Sequence, residues 1–272
     1  MAQSGELRKV AEGREAEMFA WGDGAILRLL RDSDAQLRNE WQAAAMEAAR
    51  ASGVRVPAVL EVTAVLGRPG LVMERIEGVD LLTLIGRRPW TVFRAARICG
   101  EVQAQLHAVE APKSLPDLRA TLKQRIESAG RLPERLAQFS LSVLEGLPDG
   151  DSLCQGDFHP GNIMSSPEGP VLIDWTNATR GDPNADVARS VLMLRMGEPP
   201  PGTAAIIRVL RRVGGKLLLD GYVRAYRQLR PVDMGLVGRW QVPVAAARLS
   251  EGIASEVPAL LRLLERARGA LG

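Results

Sequence analysis

The chain has 272 residues, 46% of them hydrophobic, which is more than one compact module usually needs and enough to bury a substantial core, so two lobes are expected. Charged residues make up 25% and leave a net charge of +3, too small an excess to argue for a nucleic-acid or membrane partner. Cys99 and Cys154 are far apart and suggest neither a disulfide framework nor a zinc site, no apolar leader opens the chain, and no run of about eighteen apolar residues occurs, so a cytoplasmic protein is expected.

The first eighty residues read as short strands around one helix. Strands are predicted at Leu7 to Val10, Glu17 to Trp21 and Ala25 to Leu30, with Gly22-Asp23-Gly24 as the hairpin turn between the last two. Asp32, Ser33 and Asp34 offer N-cap oxygens to a helix through QLRNEWQAAAMEAARA, which glycine at Gly53 can terminate. Val59 to Leu66 and Leu71 to Ile76 follow as paired strands about a reversing turn, Gly67-Arg68-Pro69-Gly70.

After Gly78 the pattern turns helical, with Val92, Ala96, Cys99, Val102 and Leu106 spaced to line one buried face. The same habit continues from Pro183 to the end. Between these helices lies a polar, glycine-bearing stretch, Gln155 to Asn162, followed by a predicted hairpin of Ile163-Met164 and Val171 to Ile173 around Ser166-Pro167-Glu168-Gly169.

Asp157 precedes Asn162 by five positions, and Asp174 ends the second hairpin strand, so antiparallel pairing would bring Asn162 and Asp174 opposite each other. One amide oxygen and one carboxylate suit magnesium, which takes few protein oxygens and fills its other positions with water and phosphate oxygens. Asp157 could then accept the proton of an attacking hydroxyl. Any one of these residues is equally at home capping a turn. As a set, their order and spacing are kinase-like, and transfer of a nucleotide's terminal phosphate, ATP or GTP, with magnesium is what that likeness implies.

Through LCQGDFHPGNIM and VLIDWTNATRGDPNADVA the sequence resembles the aminoglycoside phosphotransferase family, with its choline-kinase and protein-kinase-like relatives. The resemblance implies an α+β, bilobal, protein-kinase-like fold: a small antiparallel-sheet lobe with one helix at 1–77, binding nucleotide, and a larger, mostly helical lobe at 78–272 carrying the catalytic loop and acceptor site. It implies Asp157 as the catalytic base and Asn162 and Asp174 as metal ligands. Asp182 and Asp186 would brace the loop, and His159 would support it. Gln155 stands where the family usually has a supporting histidine. Arg28 in AILRLL lies where the family's phosphate-contacting lysine would lie, and Glu40 matches the helix glutamate that pairs with it. GLVMERIEGVDL resembles the interlobe hinge, with Met73 behind the adenine and backbone of Glu74 to Ile76 at its polar edge. The turn Glu12-Gly13-Arg14-Glu15 lacks the full glycine-rich pattern of many kinases.

Competing nucleotide sites find no support, since Gly214-Gly215-Lys216 lacks a P-loop frame and no G-x-G-x-x-G joins a strand to a helix. Asp174 is followed by Trp175-Thr176, close before Gly181-Asp182-Pro183, which leaves no room for the activation segment of a protein kinase. A small hydroxylated acceptor is therefore expected. Arg189, Arg195, Arg208, Arg211, Arg212, Arg224 and Arg248 argue mildly against a polycation there; Glu251, Glu256 and Glu265 could gather around an amine, but read more readily as helix charges paired with nearby arginines, and the acceptor stays open. The rival reading is a nucleotide-binding protein without transfer activity, motivated by Gln155, Arg28 and the glycine-poor turn.

Overall fold

The computed structural model describes residues 7–13, 15–32, 36–196 and 205–271, and the side chains of 205–212 and 271 are outside the description, as are Arg14, Ser33 and Asp34. Five strands, β1 (Lys9–Glu12), β2 (Ala16–Trp21), β3 (Ala25–Leu30), β4 (Val59–Val65) and β5 (Arg68–Glu74), form one antiparallel sheet in the order β1-β2-β3-β5-β4. Strand alternation divides β3: Leu27 and Leu29 pack with Phe19, Ala25 and Val72 on one face, while Ile26 and Arg28 turn to the other. Helix α1 (Gln36–Ala51) buries the stripe Gln42, Ala43, Ala45, Met46 and Ala49. It ends as expected at Gly53, whose φ of 84° lets Val54 N–H reach back to the Ala49 carbonyl at 3.0 Å.

Strand boundaries shift by a residue or two at several ends, and two differences change the reading. β1 spans Lys9–Glu12 rather than Leu7 to Val10. The β4–β5 reversal is made by Leu66 and Gly67, both at positive φ (53° and 72°), and Arg68, Pro69 and Gly70 belong to β5. Gly70 is needed for packing and not for turning: a Cβ there would meet Leu27 Cδ1 at 2.9 Å. Arg68 is held in the strand by the Leu30 carbonyl (2.8 Å) and Glu17 (2.9 Å).

Beyond residue 78 the elements are β6 (Val79–Asp80), α2 (Leu81–Arg87), α3 (Val92–Leu106), α4 (Leu118–Glu127), α5 (Glu134–Glu145), β7 (Ser152–Cys154), β8 (Ile163–Ser166), β9 (Gly169–Leu172), β10 (Thr179–Gly181), α6 (Pro183–Met196), α7 (Ala205–Leu229), α8 (Met234–Arg248) and α9 (Val257–Leu271). The predicted hairpin is β8–β9, and β6 adds to its edge, while β7 pairs with β10. Helices α3 and α7 approach so closely at Gly100 that a Cβ would lie 2.5 Å from the Tyr222 carbonyl oxygen. One apolar core runs from Met46, Leu71 and Met73 through Leu106, Trp175 and Trp240 to Leu264 and joins one face of the sheet to the helices, while Leu27 and Leu29 belong to a smaller cluster on the other face. Among the described residues no helix is long and apolar enough to cross a membrane.

Candidate active site

A cleft of about 640 Å³ opens between the sheet and the helical part. Its sheet wall carries Met18, Ile26, Arg28, Met73, Glu74 and Ile76, α1 contributes Gln42 and Met46, and the opposite wall carries Asp157, Asp174, Thr176, Asn177, Arg189 and Glu251. Of the sequence-predicted residues, Asp157, Asp174, Arg28, Met73, Glu74 and Ile76 thus meet in one space.

Asp157 sits in the loop between β7 and β8 and is held from several sides. Its carboxylate accepts from Arg189 Nη2 (3.2 Å) and Asn162 Nδ2 (3.2 Å), and His159 Nε2 stands 3.6 Å away. His159 Nδ1 accepts the Gly161 N–H at 3.0 Å, so in the neutral ring the proton is on Nε2, facing Asp157. Burial pushes the Asp157 carboxyl up, but His159 and Arg189 outweigh it and hold the group below the usual carboxylate range. The carboxylate is therefore ionised throughout the physiological range.

Gln155, fully buried, joins the two halves of the site. Its Oε1 accepts the Asp157 N–H at 2.8 Å, and its Nε2 donates to the carbonyls of Ile173 (3.2 Å) and Asp174. A planar amide with one acceptor and one donor end does the bridging a histidine would do with its two ring nitrogens. Below it, Asp186 accepts the N–H groups of Gln155 (3.2 Å) and Gly156 (2.9 Å), Gln103 Nε2 (3.0 Å) and His107 Nε2 (3.0 Å). Tyr226 closes the far side of His107 at 2.8 Å. Burial pushes Asp186 up, yet these donors hold it below its ordinary value. Gly156 takes a φ of 77°, and a Cβ there would meet the Asn177 carbonyl oxygen at 2.2 Å. Asp182 opens α6 by accepting the Asn184 N–H (2.7 Å) and takes Trp240 Nε1 at 3.2 Å.

His107, Cys154 and Asp186 bring a nitrogen, a sulfur and an oxygen within 4.8 Å of one another. Burial first, and then Asp186 and Asp182, push the Cys154 thiol well above its usual value, and Asp186 is already filled with donors, so this cluster is a hydrogen-bonded brace and not a metal centre.

The hairpin register differs by one residue from the expectation. Ile163 pairs with Leu172, and Ile173 N–H donates to the Asn162 carbonyl at 2.9 Å, so Ile173 and not Asp174 lies opposite Asn162. Asp174 follows at a positive φ of 57°, which turns its carboxylate toward Thr176, whose hydroxyl donates to Oδ1 at 2.7 Å. Asn162 does not line the cleft wall. Its Nδ2 is engaged by Asp157, which leaves the amide oxygen as the atom with which it could meet a cation beside Asp174. The donor set fits magnesium: two hard oxygens and no soft ligand.

Arg28 reaches the cleft from β3, but the expected ion pair with Glu40 does not form. Glu40 is exposed and lies off the stripe that α1 buries. Arg28 Nη2 donates instead to Thr176 Oγ1 at 3.0 Å. Burial lowers the Arg28 pKa and Asp174 works against that.

Sequence reasoning missed Thr176, Gln42 and Arg189. Thr176 is two residues past Asp174, a spacing at which a hydroxyl returns to the carboxylate. Arg189 is one helical turn past Asp186, a phase that was legible. Arg189 bridges Asp157 and Glu251 (2.8 Å), and Arg248 pairs with Glu251 (3.1 Å) and Glu256 (2.5 Å). Glu265 pairs with Arg135 and Arg268. The arginine pairing expected of these three glutamates is present, although Glu251 lies in a short 3-10 turn and Glu256 in the loop before α9.

Residues 6–236 match the profile of a family described as the phosphotransferase enzyme family. No curated protein matches the chain. Among solved structures, a thermostable mutant of aminoglycoside phosphotransferase APH(4)-Ia in its apo form is similar with a TM-score of 0.64 at 16% identity, covering 98% of this chain and 96% of that one. Amicoumacin kinase hAmiN, solved with AMP-PNP, Ca2+ and Ami, reaches 0.65 at 13% identity over 97% and 88% of the two chains. Aminoglycoside-3'-phosphotransferase of type VIII reaches 0.61 at 19% over 87% and 90%. At such identities the structural likeness speaks for the fold, a kinase-like union of antiparallel sheet and helical body. The profile covers well over half of the residues, and the chain belongs to the phosphotransferase enzyme family.

Proposed function

We propose that the chain is a small-molecule kinase that moves the terminal phosphate of ATP or GTP to a hydroxyl group of a small acceptor. In this reading residues 1–77 cover the nucleotide and 78–272 supply the acceptor side. The observation that carries it is the convergence of Asp157, Asp174, Arg28 and the backbone segment Met73 to Ile76 on one cleft. The base would flank Met73, and Arg28 would lie along the phosphates.

Magnesium would be held by Asn162 and Asp174 and, when bound, offsets charge on the phosphates. The acceptor hydroxyl would donate to Asp157, its oxygen would bond to the terminal phosphorus, and the bond from that phosphorus to the leaving oxygen of the nucleotide would break. The hydroxyl proton would pass to Asp157. A carboxyl held below its usual range is a weak proton acceptor, which suits a loose transition state in which the hydroxyl is oriented first and loses its proton late. His159 and Arg189 keep the carboxylate in place. No phosphoenzyme is needed.

The pairing of Glu251 and Glu256 with Arg189 and Arg248 supports a neutral or anionic acceptor over a polycation, because a polycation is best met by carboxylates that have no internal partner. The test is magnesium-dependent turnover of ATP and GTP with a panel of sugars, amino-alcohols, hydroxy acids and antibiotics, comparing wild type with Asp157→Ala. Loss of the base is expected to slow transfer about 10²- to 10⁴-fold while nucleotide affinity holds. Nucleotide binding without turnover on any acceptor would favour the non-transferring alternative, and an active Asp157→Ala would remove the mechanism.

A further inference from the structure

Among the buried side chains whose N–H groups have no partner in the protein, two line the sheet side of the cleft. Arg28 is 9% exposed and uses Nη2 on Thr176, but its Nη1 is buried and unbonded. Gln42, one helix away on α1, is 3% exposed, and its Nε2 is likewise buried and unbonded. Both residues line the cleft. A buried donor without an acceptor is destabilising, so two in one wall are a standing cost unless something in the cleft accepts from them.

The charge around them points to what that is. Among the described residues no carboxylate lies within ion-pair distance of Arg28, and the α1 side chains that line the cleft, Gln42 and Met46, are uncharged. The role of aiming the guanidinium falls to Thr176, whose hydroxyl takes Arg28 Nη2 at 3.0 Å and donates onward to Asp174 Oδ1 at 2.7 Å. Arg28 is thereby oriented without being neutralised. One cation and one amide N–H, both unpartnered and both on residues that line the cleft, offer donors for anionic oxygens.

We infer that Gln42 is a direct phosphate ligand: its amide N–H and Arg28 Nη1 together bind oxygens of the nucleotide's phosphate chain, with Thr176 as the brace that positions Arg28. This rests on the reading of the cleft as a nucleotide site. It assigns to Gln42 a donor role that a carboxylate at the same position could not perform.

The test is equilibrium binding of ADP with magnesium, and of adenosine alone, to the full chain carrying Gln42→Leu, Gln42→Glu or Thr176→Val. A lost hydrogen bond to a charged acceptor predicts that Gln42→Leu weakens ADP about 10- to 100-fold and leaves adenosine within about twofold. Gln42→Glu, nearly the same shape, is expected to weaken ADP at least as much, because it presents no donor and pairs with Arg28. Thr176→Val should reduce ADP affinity less and leave adenosine unchanged. Unaltered or improved ADP affinity in Gln42→Glu would overturn the donor role, as would equal losses for ADP and adenosine in Gln42→Leu. If wild type bound neither ligand, the nucleotide-site reading would fall and this inference with it, whereas tight wild-type ADP binding with indifferent variants would remove the inference alone.

Discussion

Replacing Gln155 with alanine should damage the protein twice, once in stability and once in rate. The side chain is fully buried and makes three hydrogen bonds, one accepted from Asp157 N–H and two donated to the carbonyls of Ile173 and Asp174. At about 0.5–1.5 kcal/mol net for each, and with a buried N–H and two carbonyls left behind, the expected loss is about 2–4 kcal/mol. For a chain of this size that corresponds to a fall in Tm on the order of 5–12 °C. The same bonds are what tie the loop bearing Asp157 to the strand end bearing Asp174, so kcat should fall more than nucleotide affinity. Gln155→His, which retains one acceptor and one donor, should recover most of both losses. Urea unfolding followed by fluorescence, with the slope of the transition checked for constancy, measures the first effect, and initial-rate kinetics the second. An alanine variant within about 0.5 kcal/mol of wild type would mean that these bonds contribute little to holding the site, and the account of Gln155 as its fastener would be wrong.

Three further outcomes follow from the geometry. Glu40→Gln should leave ADP affinity and kcat within about twofold of wild type, because Glu40 is exposed and off the buried stripe of α1; a loss of tenfold in a nucleotide titration would restore the ion pair that the structure lacks. Arg189→Gln removes a cation from Asp157, so the acid limb of the kcat/KM profile should move to higher pH. The sign follows from a depressed carboxyl: its contribution to stability is complete above the ordinary carboxylate value and is lost as pH falls toward the lower native one, so this variant should also lose stability at a higher pH than wild type, and an unmoved limb would sever Arg189 from the base. Gly100→Ala puts a Cβ about where backbone atoms of α7 already stand, 2.5 Å from the Tyr222 oxygen, and thermal unfolding should show a loss of at least about 2 kcal/mol; a neutral result would mean that α3 and α7 separate easily.

Much of the architecture was readable because it rests on local chemistry. Gly22 and Gly24 mark a tight reversal, the Ala and Met stripe marks an amphipathic helix, and the hairpin from Ile163 to Leu172 follows from alternation about a turn. The reversal after Val65 was misread because three turn-forming residues, Arg68-Pro69-Gly70, follow the true turn and are kept extended by contacts distant in sequence: Arg68 to Glu17 and to the Leu30 carbonyl, and Gly70 against Leu27. A two-residue turn with leucine at positive φ has no composition signal, since the conformation is disfavoured for leucine and is imposed by the register of the two strands.

The site divides along the same line. Asp157 and Asp174 could be placed in one cleft because their spacing along one loop and hairpin is itself the signal, whereas Asn162, expected opposite Asp174, lies opposite Ile173 and does not line the cleft. The Glu40 expectation rests on the resemblance alone, which does not carry the helical phase of α1. The buried positions of α1 are 39, 42, 43, 45, 46 and 49, and residue 40 stands about 200° around the helix from residue 42. Counting back from Met46 by one turn reaches Gln42, so phase alone would have put an uncharged side chain beside Met46 at the cleft. That substitution changes the electrostatics of the cleft as well as its inventory: with no carboxylate in that position, the orientation of Arg28 depends on Thr176 and through it on Asp174, the residue expected to hold the metal. The phosphate-facing cation and the metal-facing carboxylate are then coupled through one hydroxyl, and a change at either end should be felt at the other.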